Sequence, residues 1–343
     1  MKIVMDCFGG DNCPAAPIDG ALNAMSKNKE VEIILCGSSK IIEDYLKGKT
    51  YDASRLSILN AEDVITNEDI PTVAIRRKPN SSMVTSLRAV VDGKADAIIS
   101  SGSTGALLTG ATLIIKRIEG ITRASLACIV PTIVDGKSAA IVDGGANVDC
   151  TLPMLKEFAI MGDAFAKSMF GIKEPVVCLM NNGVEEEKGN VLAKEAYQML
   201  KTLKVNFGGN IEPREILFGG ADAVVCDGFV GNAAIKGAEG MASAIFKVLS
   251  EKVKKGGLKV KLGALMLKPA LRGVKARLNS DTIGGAPFLG VNHVVIKAHG
   301  SSNKVAFENA IFTAKRMVED NLVDNIRKGL ANNSDNADDV NAE

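Results

Sequence analysis

Between Ala223 and Gly240 the chain reads AVVCDGFVGNAAIKGAEG, an apolar run that passes through a glycine-punctuated turn into a helical pattern. The turn region carries an acid (Asp227), an amide (Asn232) and a cation (Lys236). Gly228 and Gly231 let the backbone approach a ligand closely, and Asn232 stands where a helix N-cap is expected. First-turn amides have no partner within a helix and lie at the positive end of its dipole, so this turn suits a phosphate or a developing oxyanion. An ordinary βα turn, with glycine for its geometry and Asn for its cap, remains the alternative for this motif alone.

Five companions strengthen the first reading. DCFGGDN follows the strand expected at Lys2 to Met5, and SGSTGALLTGA follows Ala97 to Ser100. DGGAN follows Ala139 to Val142, NNGVEEEKGN follows Val176 to Leu179, and KAHGSS follows Val294 to Ile296. With Val31 to Cys36 and Ala223 to Cys226, these short apolar runs alternate with helical patterns, the mark of βαβ units around a mostly parallel sheet. In such sheets ligands collect outside the carboxyl ends of the strands. Six ends with glycine beside Asp, Asn, Ser, Lys or His therefore predict one polar small-molecule cleft on one face.

Composition narrows the classes. A net charge of +1 over 343 residues provides no global basic field for nucleic acid. Seven cysteines without a CxxC pair argue against a disulfide framework or structural zinc, and several lie inside apolar runs as small hydrophobes. Only two histidines, His293 and His299, are available to activate a thiol. Neither a GxGxxG fingerprint with its ribose-binding acid nor a Walker A sequence occurs, so no nucleotide cofactor is indicated, and no ligand spacing suggests a metal. The opening MKIVMDCFGG reads as a strand and turn rather than a signal peptide, and no apolar run approaches a membrane span, so a cytoplasmic location is expected.

From Lys247 to Arg277 ten bases face a single acid, Glu251. Within that segment LGALMLKPALRGVKARL sets Leu265, Met266 and Leu267 beside Lys268 and Arg272, a basic amphipathic pattern suited to an acidic partner or an anionic interface. The expected organisation is one α/β unit over residues 1–330 with a helical protrusion at about 247–279. A disordered acidic tail is expected over 331–343.

Taken in order, DCFGGD, SGSTGA, DGGAN, NNGVEEEKGN, GNIEPREI, DGFVGNAAIKGAEG, GGAPFLG and KAHGSS resemble the bacterial phosphate acyltransferases of phospholipid synthesis, from Met1 to about Arg327. Two positions depart from that pattern: Ser103 stands where the family usually has Asn, and Cys7-Phe8 where a small residue and Met are common. The resemblance implies a three-layer αβα Rossmann-like fold similar to the isocitrate/isopropylmalate dehydrogenase and phosphotransacetylase architecture. It also implies a homodimer and transfer of a long-chain acyl group from acyl carrier protein to inorganic phosphate. A membrane glycerol-3-phosphate acyltransferase would consume the product, with the enzyme held peripherally on the inner face of the cell membrane.

Such chemistry needs an oriented phosphate, donors for the thioester oxyanion and room for the acyl chain. Phosphate is itself nucleophilic, so no acyl-enzyme is demanded. Lys188, Asp227, Asn232 and His299 form the expected catalytic set. Lys188 and His299 would neutralise charge or protonate the leaving thiol. Asp6, Gly9, Gly10, Asp11, Gly102, Ser103, Thr104, Gly105, Asp143, Asn147 and Gly231 form the expected phosphate-binding turns, the aspartates holding loops and orienting donors. Two other readings are a metal- and NAD-dependent hydroxy-acid dehydrogenase of the same fold, and a noncatalytic membrane adaptor built on the basic segment.

Overall fold

The computed structural model describes residues 1–277 and 284–334. Eleven strands form a single sheet: β1 Lys2–Asp6, β2 Glu32–Gly37, β3 Leu56–Asn60, β4 Ala97–Ser100, β5 Ser125–Pro131, β6 Ser138–Val142, β7 Val177–Met180, β8 Phe207–Ile211, β9 Ala223–Val225, β10 Ala286–Leu289 and β11 Val294–Lys297. Their order is β3-β2-β1-β4-β11-β10-β5-β6-β9-β7-β8. All seven strands expected from the apolar runs are present. β3, β5, β8 and β10 were not expected, and two of them show why. FGGNI and APFL carry the Gly and Pro that weaken a strand signal, and pairing with neighbours supplies what local propensity lacks.

Helices cover both faces, because the central strands are apolar on both sides. Along β1, Ile3 and Met5 join a core with Phe158, Phe165 and Phe307, while Val4 points to the other core with Met83, Leu87 and Leu107. The helix Leu152–Phe170 runs through the first of these and ends at Gly171 in the left-handed region, φ 68°.

Among the eleven named strands, pairing is antiparallel only at β11/β10, β10/β5 and β5/β6. The strands β6, β9, β7 and β8 therefore run opposite to β1–β4 and β11. The expectation of one common carboxyl face is corrected here: the six turns leave strands of opposite direction. They still meet, because of register. Lys297 lies opposite Ala286 and Ser100, Phe288 lies opposite Val295 and Leu126, and Ala127 lies opposite Val142. Val142 thus ends about one residue, roughly 3.3 Å, from the level of Lys297. The two half-sheets face each other end to end, with their carboxyl ends on either side of one cleft.

The helix Gly228–Lys255 leaves β9 across this cleft, and of its residues only Gly228 and Gly231 are buried. A second helix, Leu258–Arg277, contains Pro269 and packs back on it. The expected protrusion is helical as far as Arg277, and 278 and 279 lie outside the described residues. The tail expectation needs correction at its start. Ala331 to Ser334 belong to the helix Leu322–Ser334, and buried Asn333 accepts the Lys204 amide at 2.7 Å. Residues 335–343 lie outside the described ones. No described helix is long and apolar enough to cross a membrane.

Candidate active site

Three turns of the first half-sheet interlock, their backbones brought close by glycine. A Cβ on Gly9 would stand 2.7 Å from Gly102 Cα, and one on Gly10 would stand 2.9 Å from the Gly300 carbonyl. The Asp11 amide donates to that carbonyl at 2.9 Å, and the Gly10 amide donates to Cys13 Sγ at 3.2 Å. Gly9 and Gly10 therefore permit close approach of DCFGGD, SGSTG and KAHGSS rather than offering an open nest. Beneath them Asp6 is fully buried and accepts from Ser82 Oγ (2.6 Å), Ser100 Oγ (2.7 Å) and the Phe8 amide (3.3 Å). Burial raises its pKa, against the lowering effect of those donors and of Lys297. Asp6 is a brace for the turns.

The second half-sheet is braced in the same way. Asp143, fully buried, accepts the amides of Leu126, Gly145, Ala146 and Asn147 and the Asn147 side chain, all within 3.0 Å. The other hydrogen bond from Asn147 Nδ2 goes to the Ala124 carbonyl at 2.8 Å, so that nitrogen donates to two partners within the protein.

The expected N-cap at Asn232 is corrected: Asp227 caps the helix, its carboxylate accepting the Val230 amide at 2.8 Å. Local sequence favoured the later residue because both Asp and Asn cap well, whereas the helix begins four residues earlier, at Gly228. Gly228 donates to Asn147 O at 2.7 Å and Gly231 donates to Asp227 O at 3.0 Å. This turn has committed most of its amides internally, and Gly231 serves packing: a Cβ there would lie 2.0 Å from Asp143 O. What the turn presents to the cleft is the Asn232 side chain, beside Gly145.

A cavity of about 420 Å³ lies where the half-sheets meet. Thr104, Asn232, Lys236, Lys297, His299 and Ser302 are among its lining, with an apolar flank including Cys128 and Ile235. Ser103 caps the helix Thr104–Gly110 through the Ala106 amide at 3.5 Å, leaving the first-turn amides around Thr104 at the cavity edge. The Gly102 amide is engaged by Ser100 Oγ at 3.1 Å, and Gly105 lies against Pro71. His299 Nδ1 accepts the Ser301 amide at 3.3 Å and lies 2.8 Å from Ser301 Oγ, which places its ring proton on Nε2.

Lys297, in the sequence one residue of KAHGSS, is the less exposed of the two lysines that line the cavity. Its Nζ donates to Ser101 O at 3.3 Å and to Ala298 O. Burial lowers its pKa to about 8, against the raising effect of Asp6 and Asp11. Ser101 and the carboxylates of Asp6 and Asp11 reach it from two other strand ends, so no local pattern could have singled it out.

Lys188 and Asp227 do not line this cavity. Lys188 is exposed on the turn after β7, five strands from β11, or about 24 Å at ordinary strand spacing. Asp227, with Asn181 and Asn190, borders a neighbouring cavity of about 400 Å³. His293 lies half-buried near Arg327, and burial with that charge lowers its pKa.

A family described as "Fatty acid synthesis protein" matches residues 1–325. A phosphate acyltransferase of Alkaliphilus oremlandii is 47% identical over 335 residues, covering 98% of this chain and 99% of that protein. The chain belongs to this family. A second member, the phosphate acyltransferase of Clostridium acetobutylicum, is 46% identical over 96% of this chain and 99% of its own length. Membership makes the chain an acyltransferase, as the motif resemblance implied. Among solved structures, EutD phosphotransacetylase from Staphylococcus aureus aligns with TM-score 0.58 at 16% identity, covering 93% of this chain and 94% of that one. A branched-chain phosphotransacylase from Enterococcus faecalis aligns with TM-score 0.55 at 15% identity, covering 93% and 99%. At such identities these two establish the family's fold: a mostly parallel sheet with helices on both sides.

Proposed function

We propose that this family member transfers a fatty acyl group from acyl carrier protein to inorganic phosphate, releasing acyl phosphate for acylation of glycerol 3-phosphate. The observation that best supports the reading is the single cavity holding Lys297, His299, Asn232 and Thr104 between facing half-sheets. The Lys297 ammonium and the first-turn amides near Thr104 hold phosphate against the thioester. A phosphate oxygen attacks the carbonyl carbon, and the Asn232 side-chain amide donates to the oxyanion. The C–S bond then breaks with its electron pair on sulfur, the thiolate takes up the proton that the hydrogen phosphate brought in, and His299 Nε2–H steadies the departing sulfur by a hydrogen bond. Asp6, Asp11, Asp143 and Asp227 keep the loops in place.

The test is phosphate-dependent release of free carrier protein from acyl-ACP by the purified chain. Turnover should require both substrates; release that ignores phosphate would sink the reading. Asn232→Ala should lower kcat about 100-fold, the usual cost of one oxyanion donor, with the phosphate KM within about twofold. Because Asn232 is exposed, its melting temperature should not move.

The finer assignment includes a homodimer and peripheral contact with an anionic membrane, where the acyl-phosphate-using acyltransferase resides. Leu265, Met266 and Leu267 are 63%, 83% and 59% exposed on the second helix of the protrusion. Lys268 and Arg272 border the groove between its two helices. A large apolar patch ringed by cations fits such a surface. Leu267→Glu should shift the protein from sedimenting anionic vesicles into the supernatant while solution activity persists; unchanged co-sedimentation would remove the membrane assignment.

A further inference from the structure

The cavity has two unlike sides. Beside Lys297 and His299 the lining includes an apolar wall made of Cys128 on β5 and Ile235 on the helix Gly228–Lys255, whereas the neighbouring Ile129 packs on the other face of the sheet. Both are only partly covered by protein, although residues of these kinds are usually buried outright. They meet around a point that has no side chain. A Cβ on Gly144 would lie 2.4 Å from Cys128 Sγ and 3.3 Å from Ile235 Cδ1, so the glycine lets strand, turn and helix close up and leaves those two side chains as the surface. The wall is also chemically inert. Burial, with Asp143 beside it, pushes the Cys128 thiol up to about 12, so it stays neutral and behaves as a small apolar group.

We infer that Cys128 and Ile235 form the acyl-chain wall of this cavity and set the chain lengths the enzyme accepts. The inference rests on the acyl-transfer reading above and adds the residues that select its substrate. A thioester carbon held between Asn232 and phosphate must send its alkyl chain away from Lys297 and His299, and this wall offers an apolar surface in the same cavity. Each methylene removed from water contributes roughly fourfold in affinity, so covering or exposing this wall should act through chain length.

The experiment measures kcat/KM for butyryl-, octanoyl- and palmitoyl-ACP at saturating phosphate, using the full chain. Ile235→Trp narrows the passage: palmitoyl-ACP should fall at least about tenfold while butyryl-ACP stays within about twofold. Ile235→Val should restore the native profile, and the phosphate KM should be the same in all variants. Cys128→Ala, which deletes one atom, should move the preference toward longer chains by about threefold. This second variant decides the matter if the Trp variant folds poorly. An equal loss for every donor in Ile235→Trp, or an unshifted profile in Cys128→Ala, would overturn the inference while leaving acyl transfer intact. A wild-type chain without phosphate-dependent turnover would overturn the parent reading and this one together.

Discussion

Lys297→Met should lower kcat/KM for phosphate by at least about 100-fold, because it removes the charge-assisted hydrogen bond to a dianion in a partly desolvated cavity. Steady-state kinetics with phosphate varied at fixed acyl-ACP is the measurement. The same residue sets a pH signature. Its pKa of about 8 means the cation is present below that pH and lost above it, so wild-type phosphate KM should rise as pH increases through about 8. Lys297→Arg keeps its charge and should carry the alkaline limb upward. A flat alkaline profile in the wild type would remove Lys297 from phosphate binding.

Stability should move the other way. The folded pKa of Lys297 lies below its ordinary value of 10.5, so between about 8 and 10.5 the unfolded chain binds more protons than the folded one. Its contribution to stability therefore rises with pH across that window and is unfavourable below it. Lys297→Met should accordingly melt slightly higher than the wild type at pH 7 while being nearly inactive, a separation that differential scanning calorimetry beside the assay can read.

Gly231→Ala is expected to be the most damaging single methyl group in the chain's cleft. Its Cβ would stand 2.0 Å from Asp143 O, a backbone atom anchored by the five hydrogen bonds of the Asp143 turn and by Cys226 Sγ–H. Neither the helix nor the turn can yield without breaking buried hydrogen bonds, so a loss of about 3 kcal/mol or more is expected. For a chain of this size that is a fall of about 5 °C in the unfolding midpoint. Gly237→Ala, six residues along the same helix, meets nothing within 4 Å and should instead stabilise through helix propensity, by about 0.5 to 1 kcal/mol. Equal melting temperatures for the two variants would show that the Gly231 contact is absent in solution.

Much of the architecture was legible because it is local. The runs KIVMD, EIILCG, AIIS and VVIK are β-branched and apolar on both faces, and after the first of them Gly9 and Gly10 are required by backbone contact. The family was legible for the same reason, since eight short motifs keep their order along the chain. Polarity and register were not. Nothing local to DGGAN or DGFVGN reveals that β6 and β9 run against β1, nor that the two β10/β5 pairs stagger the half-sheets until their ends face.

That long-range pairing rearranged the candidate site. It left Lys188 on a turn five strands from Lys297, turned Asn147 and Asp143 inward as braces, and moved the cap from Asn232 to Asp227. It also raised Lys297 from one basic residue among many to the half-buried cation of the cleft. Residue type, spacing and order determine which turns form and what chemistry they hold in stock. Whether an amide or a cation is free to act depends on what the other turns bring within about 3 Å of it, and only tertiary contact decides that, because hydrogen-bond partners and desolvation come from parts of the chain hundreds of residues away.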